Sequence, residues 1–204
     1  MVLDYEIPGN LKNLTDTLYL INNCGYEILN EIWSYNIIKH KWTYIKPFVN
    51  SIKSKVIQKP VPRYGHSSVY LEKIDTSVSP AILRKYMFIY GGFSQYCENL
   101  CDDIWSYEIA YAPQRYFPLS NDPSEWNRGN VWNLITPDSA TPGKRIHHSM
   151  VVDSKYEYIY LFGGMSLDSN NEYILNNDLW RYDIKFNNWE KIITQGILHV
   201  MRQV

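Results

Sequence analysis

Residues 158–162 read Tyr-Ile-Tyr-Leu-Phe, five apolar or aromatic positions closed by Gly163-Gly164. After a polar loop, Leu179, Arg181 and Asp183 alternate with Trp180, Tyr182 and Ile184. That period of two predicts a strand and not a helix. Upstream, Arg145-Ile-His-His-Ser149 leads into the apolar Met150-Val-Val152; downstream, past a Lys-Phe-Asn-Asn turn, comes Trp189-Glu-Lys-Ile192. Four short β-type segments separated by turn residues predict a four-stranded antiparallel meander.

The same order recurs earlier in the chain. Arg63-Tyr-Gly-His-Ser67 matches Arg145 to Ser149, Met87-Phe-Ile-Tyr-Gly91-Gly92 matches Ile159 to Gly164, and Asp103 to Ile109 matches Asp178 to Ile184. Val131-Trp-Asn-Leu-Ile135 is the fourth segment of this unit. A first, partial unit has Leu18 to Ile21, Glu31 to Ile37 and Lys41 to Ile45, with Asn22-Asn23 where the others carry two glycines. Asn is a chemically sensible replacement there, because it tolerates a left-handed backbone better than other side chains. The tripeptide Trp-x-Tyr marks all three units: Trp33 with Tyr35, Trp105 with Tyr107, and Trp180 with Tyr182, the Trp residues 72 and 75 positions apart. The Tyr-to-Trp step into the fourth segment is 7 residues for Tyr35 to Trp42 and for Tyr182 to Trp189, but 25 for Tyr107 to Trp132. Insertions near 72–85 and 110–129 therefore enlarge the second unit. A repeat of this kind means units that bury their faces on one another.

The pattern resembles the kelch repeat, whose units carry a diglycine after the second strand and a spaced Tyr and Trp in strands three and four. The resemblance implies an all-β fold: a kelch-type β-propeller segment of four-stranded antiparallel blades across residues 1–204. Blade one is expected at about 15–46, blade two at about 62–136 and blade three at about 144–193. Trp132 precedes Arg145 by 13 residues and Trp189 precedes Arg202 by the same 13, so the register points to a further blade beginning at the C-terminus. Propellers close with roughly 4–8 blades. The expectation is that a longer chain or another subunit supplies the remaining ones.

Bulk properties narrow the function classes. A net charge of −1 and a pI near 6.5 give no basic field for nucleic acid. The apolar runs are strand-sized, far short of the ~20 residues a membrane helix needs, and no charged-then-apolar signal segment opens the chain. Of three cysteines, Cys97 and Cys101 form a C-x3-C pair while Cys24 stands apart. The pair reads either as a local disulfide, which favours an extracellular or secretory setting, or as reduced thiols of a cytoplasmic protein. Asn13-Leu14-Thr15 is the single glycosylation sequon.

No catalytic, cofactor-binding or metal-binding residue emerges. His66-Ser67 and His148-Ser149 suggest acyl transfer at first sight, but adjacent strand residues face opposite ways and the pair repeats, which favours a structural role. Arg63 and Arg145 stand ready to bond carbonyls or acidic groups of a neighbouring blade. The acid-rich stretches 98–103 and 168–178 lack an EF-hand pattern. The leading expectation is a non-catalytic protein-interaction scaffold, with its variable loops as the contact surface. The 110–129 insertion offers Tyr111, Arg115, Tyr116, Phe117 and Trp126, a mixture of aromatics and Arg suited to an interface. The alternatives are a propeller enzyme or carbohydrate-binding module of oxidase, isomerase or lyase type, or the ectodomain propeller of an adhesion or receptor-like protein.

Overall fold

The computed structural model describes residues 17–21, 28, 30–45, 59–76, 81–109 and 131–193. They form three antiparallel sheets in chain order. The first has β1 (Thr17–Ile21), β2 (Ile32–Asn36) and β3 (Lys41–Ile45), hydrogen-bonded in that order. β4 (Ser67–Asp75) and β5 (Ile82–Tyr90) open the second sheet, and a small hairpin of β6 (Phe93–Ser94) and β7 (Asn99–Leu100) follows them. The sheet is completed by β8 (Ile104–Ile109) and β9 (Val131–Ile135), giving the order β4-β5-β8-β9. In the third, β10 (Ser149–Val152) and β11 (Tyr158–Phe162) precede the hairpin of β12 (Met165–Leu167) and β13 (Tyr173–Leu175). β14 (Leu179–Asp183) and β15 (Asn188–Ile192) then give β10-β11-β14-β15. These are up-and-down meanders of propeller blades.

The core lies between blades. Val69, Leu71, Phe88, Tyr90 and Ile104 of blade two pack against Met150, Ile159, Leu161, Tyr182 and Trp189 of blade three. On the other face of blade two, Met87, Ile89, Trp105, Tyr107 and Trp132 pack with Ile32 of blade one. Strand alternation explains the division: Val69 and Phe88 point one way, and Tyr70 and Met87 the other.

Two expectations change. The 72–85 stretch is for the most part a continuation of the first two strands, paired from Ser67↔Tyr90 to Asp75↔Ile82, and not a loop. Its charges pair across the ladder, with Arg84 bonded to Asp75 at 2.6 Å and to Glu108 at 2.5 Å, and Lys85 3.6 Å from Glu72. Between the second and third strands of blades two and three, the predicted polar loops contain the small hairpins β6–β7 and β12–β13. Asn22, Asn23, Cys24, the Asn13 sequon, the aromatic 110–129 insertion, His199 and Arg202 lie outside the described residues.

Candidate functional site

The diglycine end of blades two and three is built twice from the same parts. Arg63 donates to both carboxylate oxygens of Asp103, at 2.5 and 2.8 Å, and to the carbonyl of Gly91 at 2.9 Å. Arg145 does the same with Asp178, at 2.8 and 3.1 Å, and with Gly163 at 2.9 Å. Both guanidinium groups are buried, and each serves its own blade rather than the neighbouring one. The fork geometry of Arg suits a carboxylate plus a carbonyl better than Lys would.

Each carboxylate also accepts the indole N–H two residues on. Trp105 bonds Asp103 at 2.6 Å, Trp180 bonds Asp178 at 2.7 Å, and Trp33 bonds Glu31 at 3.0 Å. The sequence reading missed this bond. The signal was the two-residue spacing, which puts acid and indole on the same strand face. Burial pushes the Asp103 carboxyl up, but its bond to Arg63, the Arg63 charge and the Trp105 indole together hold it below the usual carboxylate range. Asp178 is held low in the same way by Arg145 and Trp180.

The glycines let the chain return past this clasp. Gly92 has φ +98°, and a Cβ there would sit 2.9 Å from both the His66 Cβ and the Tyr64 carbonyl oxygen. At Gly164, φ +89°, a Cβ would lie 2.7 Å from the Ile146 oxygen and 2.8 Å from the His148 Cβ. Both the conformation and the space exclude larger residues. Gly91 and Gly163 share the left-handed backbone, and their N–H groups donate to the carbonyls of Asp103 and Asp178.

His66 and His148 are buried behind these turns. The ring of His148 meets Tyr90 edge-on, with centroids 5.6 Å apart. Burial, and then the charge of Arg63, lowers His66 to about 4; burial, then Arg145, His66 and His147, lower His148 to about 3. Both are neutral at physiological pH. Tyr107 and Trp132 pack 5.0 Å apart in the core of blade two, and Tyr182 and Trp189 pack 5.1 Å apart in blade three. In blade one Tyr35 and Trp42 pair at 4.8 Å, but Trp42 is exposed.

Between blades two and three a cleft of about 330 Å³ opens at this same end. One wall is Glu98 and Leu100 of the β6–β7 hairpin, the floor is the 142–145 linker, and the other wall includes Ser166 of the β12–β13 hairpin and Asn176 directly after it. Lys144 and Glu98 approach to 3.3 Å at its rim. Tyr96 and the three residues of β13, Tyr173, Ile174 and Leu175, are exposed on these two hairpins. The cleft is remote from the stretches singled out by sequence: the 72–85 hairpin and the strand ends flanking 110–129, Ile109 and Val131, lie at the opposite end of blade two. Among the described residues no cluster of three or more His, Cys, Asp or Glu side chains is placed to hold a metal. None of their helices is long and apolar enough to cross a membrane.

The fold and its duplicated Arg–Asp–Trp clasp define a segment of a kelch-type β-propeller. The KLHDC2/KLHL20/DRC7 Kelch-repeats domain matches residues 55–203, and the chain belongs to this kelch-repeat family. It is 26% identical over 144 residues to an F-box/kelch-repeat protein of Arabidopsis thaliana, covering 69% of this chain and 27% of that one. It is 25% identical over 175 residues to human Kelch domain-containing protein 3, covering 84% and 36%. The chain thus spans roughly a quarter to a third of the length of these curated relatives. A shorter match, 28% over 82 residues, covers 39% of this chain and 19% of N-acetylneuraminate epimerase 1 of Escherichia coli. The solved structure of YjhT is similar over 79% of this chain and 44% of its own, with 16% identity and a TM-score of 0.45.

Proposed function

We propose that this kelch-repeat chain is a non-catalytic protein-binding module whose partner docks at the diglycine end, in the cleft between blades two and three. The observation that carries this reading is the cleft itself, together with exposed Tyr96, Tyr173, Ile174 and Leu175 on the hairpins that wall it. Apolar and aromatic side chains around a few polar groups are the composition of a recognition surface. The rigid clasp behind them holds the loops in place, so that binding does not have to order the scaffold. Further blades, from a longer chain or another subunit, complete the ring.

The enzyme reading draws on the short match to an epimerase. Against it, two of the four charged groups lining the cleft, Arg145 and Asp178, are bonded to each other, and Asp178 also accepts the Trp180 indole N–H, which leaves them structural work. Site-specific photocrosslinking tests the proposal. A photoreactive residue at Tyr96 or Tyr173 should give a protein adduct in the native cell, and one at Ile74, at the far end of blade two, should not. Adducts from Ile74 alone would move the binding surface to the opposite end.

A further inference from the structure

The two hairpins that wall the cleft are held differently. In the β12–β13 hairpin, Asp168 Oδ1 accepts the backbone N–H groups of Asn170 and Glu172, at 2.8 and 2.9 Å. In the β6–β7 hairpin a disulfide joins Cys97, in the turn between the strands, to Cys101, just past β7. Between the two sulfurs, Glu98 and Asn99 are consecutive non-glycine residues with positive φ, 53° and 85°. That conformation is uncommon for a side-chain-bearing residue and is retained only where the surroundings enforce it.

The loop is also tied to the blade junction. The Cys101 N–H donates to the Gly92 carbonyl at 2.9 Å, and the Cys101 carbonyl accepts the Arg145 N–H of blade three at 3.3 Å. Gly92 in turn donates to the Arg145 carbonyl at 2.9 Å. Asn176 fills the place of Cys101 in blade three, with its N–H on the Gly164 carbonyl at 2.8 Å, and has no sulfur to release.

We infer that the Cys97–Cys101 disulfide is a redox-operated clasp that fixes one wall of the interblade cleft, so that reduction loosens Glu98 and Leu100 and changes what the cleft binds. The consequence for binding rests on the reading of the cleft as the docking site; the loosening itself does not. Cys97 is half-buried and Cys101 is 1% exposed, so a dithiol reductant attacks the sulfur of Cys97. The S–S bond breaks and Cys101 leaves as a thiolate that takes up a proton. The second thiol of the reductant then displaces Cys97. The two cysteines end as thiols and the reductant as a disulfide, two electrons having passed to the pair.

The test is hydrogen exchange on the 204-residue chain with and without dithiothreitol, alongside thiol alkylation to score the bond. Reduction should speed exchange at least tenfold at the amides of Cys101 and Arg145. The ladder amides of β11 and β14 should change less than twofold, and a C97S/C101S variant should show the reduced pattern in both conditions. Free thiols at both positions in unreduced native protein would overturn the inference, as would unchanged exchange at Cys101 and Arg145. Loss of protection throughout the chain would overturn it too, by making the bond a general staple. Crosslinking from Tyr173 under both conditions separates this from the docking proposal. Adducts in both states with unchanged exchange sink the clasp alone. Local loosening with adducts in neither state sinks the docking site and leaves the clasp as a structural device without control of binding.

Discussion

Val69 and Val151 occupy the same place, two residues into the opening strand of their blades, yet Val69 is 4% exposed and Val151 61%. Their cross-strand neighbours follow suit. Phe88, Tyr90 and Ile104 are buried in blade two, whereas Tyr160, Phe162 and Leu179 are half-buried in blade three. At these positions the two sheets share the same register and the same apolar character. They differ in what lies alongside: blade three covers blade two, and among the described residues no sheet covers the outer face of blade three. Burial here belongs to the stack and not to the single blade, as expected for a repeat protein whose stability is largely neighbour contact.

Charging the two valines should separate the faces most. Val69→Lys places an ammonium group inside the interblade cluster and should cost more than about 4 kcal/mol, enough to unfold blades two and three. Val151→Lys should cost less than about 1 kcal/mol while its face is open. Urea titration followed by tryptophan fluorescence measures both. Equal losses would show that the outer face of blade three is covered in solution.

Removing a clasp should erase the contrast, because each clasp is internal to its blade. Asp103→Ala and Asp178→Ala leave Arg63 and Arg145 buried without their counter-charges, at about 3 kcal/mol each. The two losses should agree within about 1 kcal/mol in the same titration. A near-neutral Asp178→Ala would mean that blade three does not rely on its clasp.

Acid should act on both blades through the histidines. His66 and His148 are neutral in the folded chain, lowered to about 4 and about 3, whereas in the unfolded chain they bind protons near the ordinary 6.5. Between those values the unfolded state holds more protons, so stability is full above pH 6.5 and falls as the pH drops toward 4 and then 3. Asp103 and Asp178 add to the loss at the low end, since their stabilisation is present above the ordinary carboxylate value and disappears as pH falls through their depressed ones. The stability from urea titration at pH 4.5 should lie below that at pH 7 by about 5 kcal/mol, about half of it from each histidine. His148→Phe should flatten the slope by its own share. A midpoint constant from pH 7 to 4.5 contradicts the buried neutral state.

Much of this fold was legible because its signals are local and recur. The apolar run ending in two glycines, the Trp-x-Tyr strand and the Arg-x-x-His opening each fall within a few residues, and each appears at least twice. The extension of β4 and β5 was not legible, because Glu72, Lys73, Asp75, Arg84 and Lys85 look like a solvated loop until the ladder pairs their charges. The hairpins β6–β7 and β12–β13 are two and three residues per strand, too short to show a period. The cleft was hidden for a different reason: its lining comes from stretches near 98–100, 142–145, 166–167 and 176–178, which only the stacking of two blades brings together.

The smallest expected effect bears on the indole–carboxylate bond that the blades share. Trp105→Phe should cost about 2 kcal/mol and Trp180→Phe about 1 kcal/mol, since both lose one charge-assisted bond but Trp105 is the more deeply packed. That difference mixes packing with bonding. A double-mutant cycle pairing each Phe variant with Asp103→Asn or Asp178→Asn removes the packing part, because the lost ring contacts appear on both sides of the cycle. The coupling energies should be close to each other, at about 1 kcal/mol, even though the total losses differ. Coupling in blade two with none in blade three would show that the bond is strong only under a covering neighbour. The clasp would then depend on the stack as the apolar faces do.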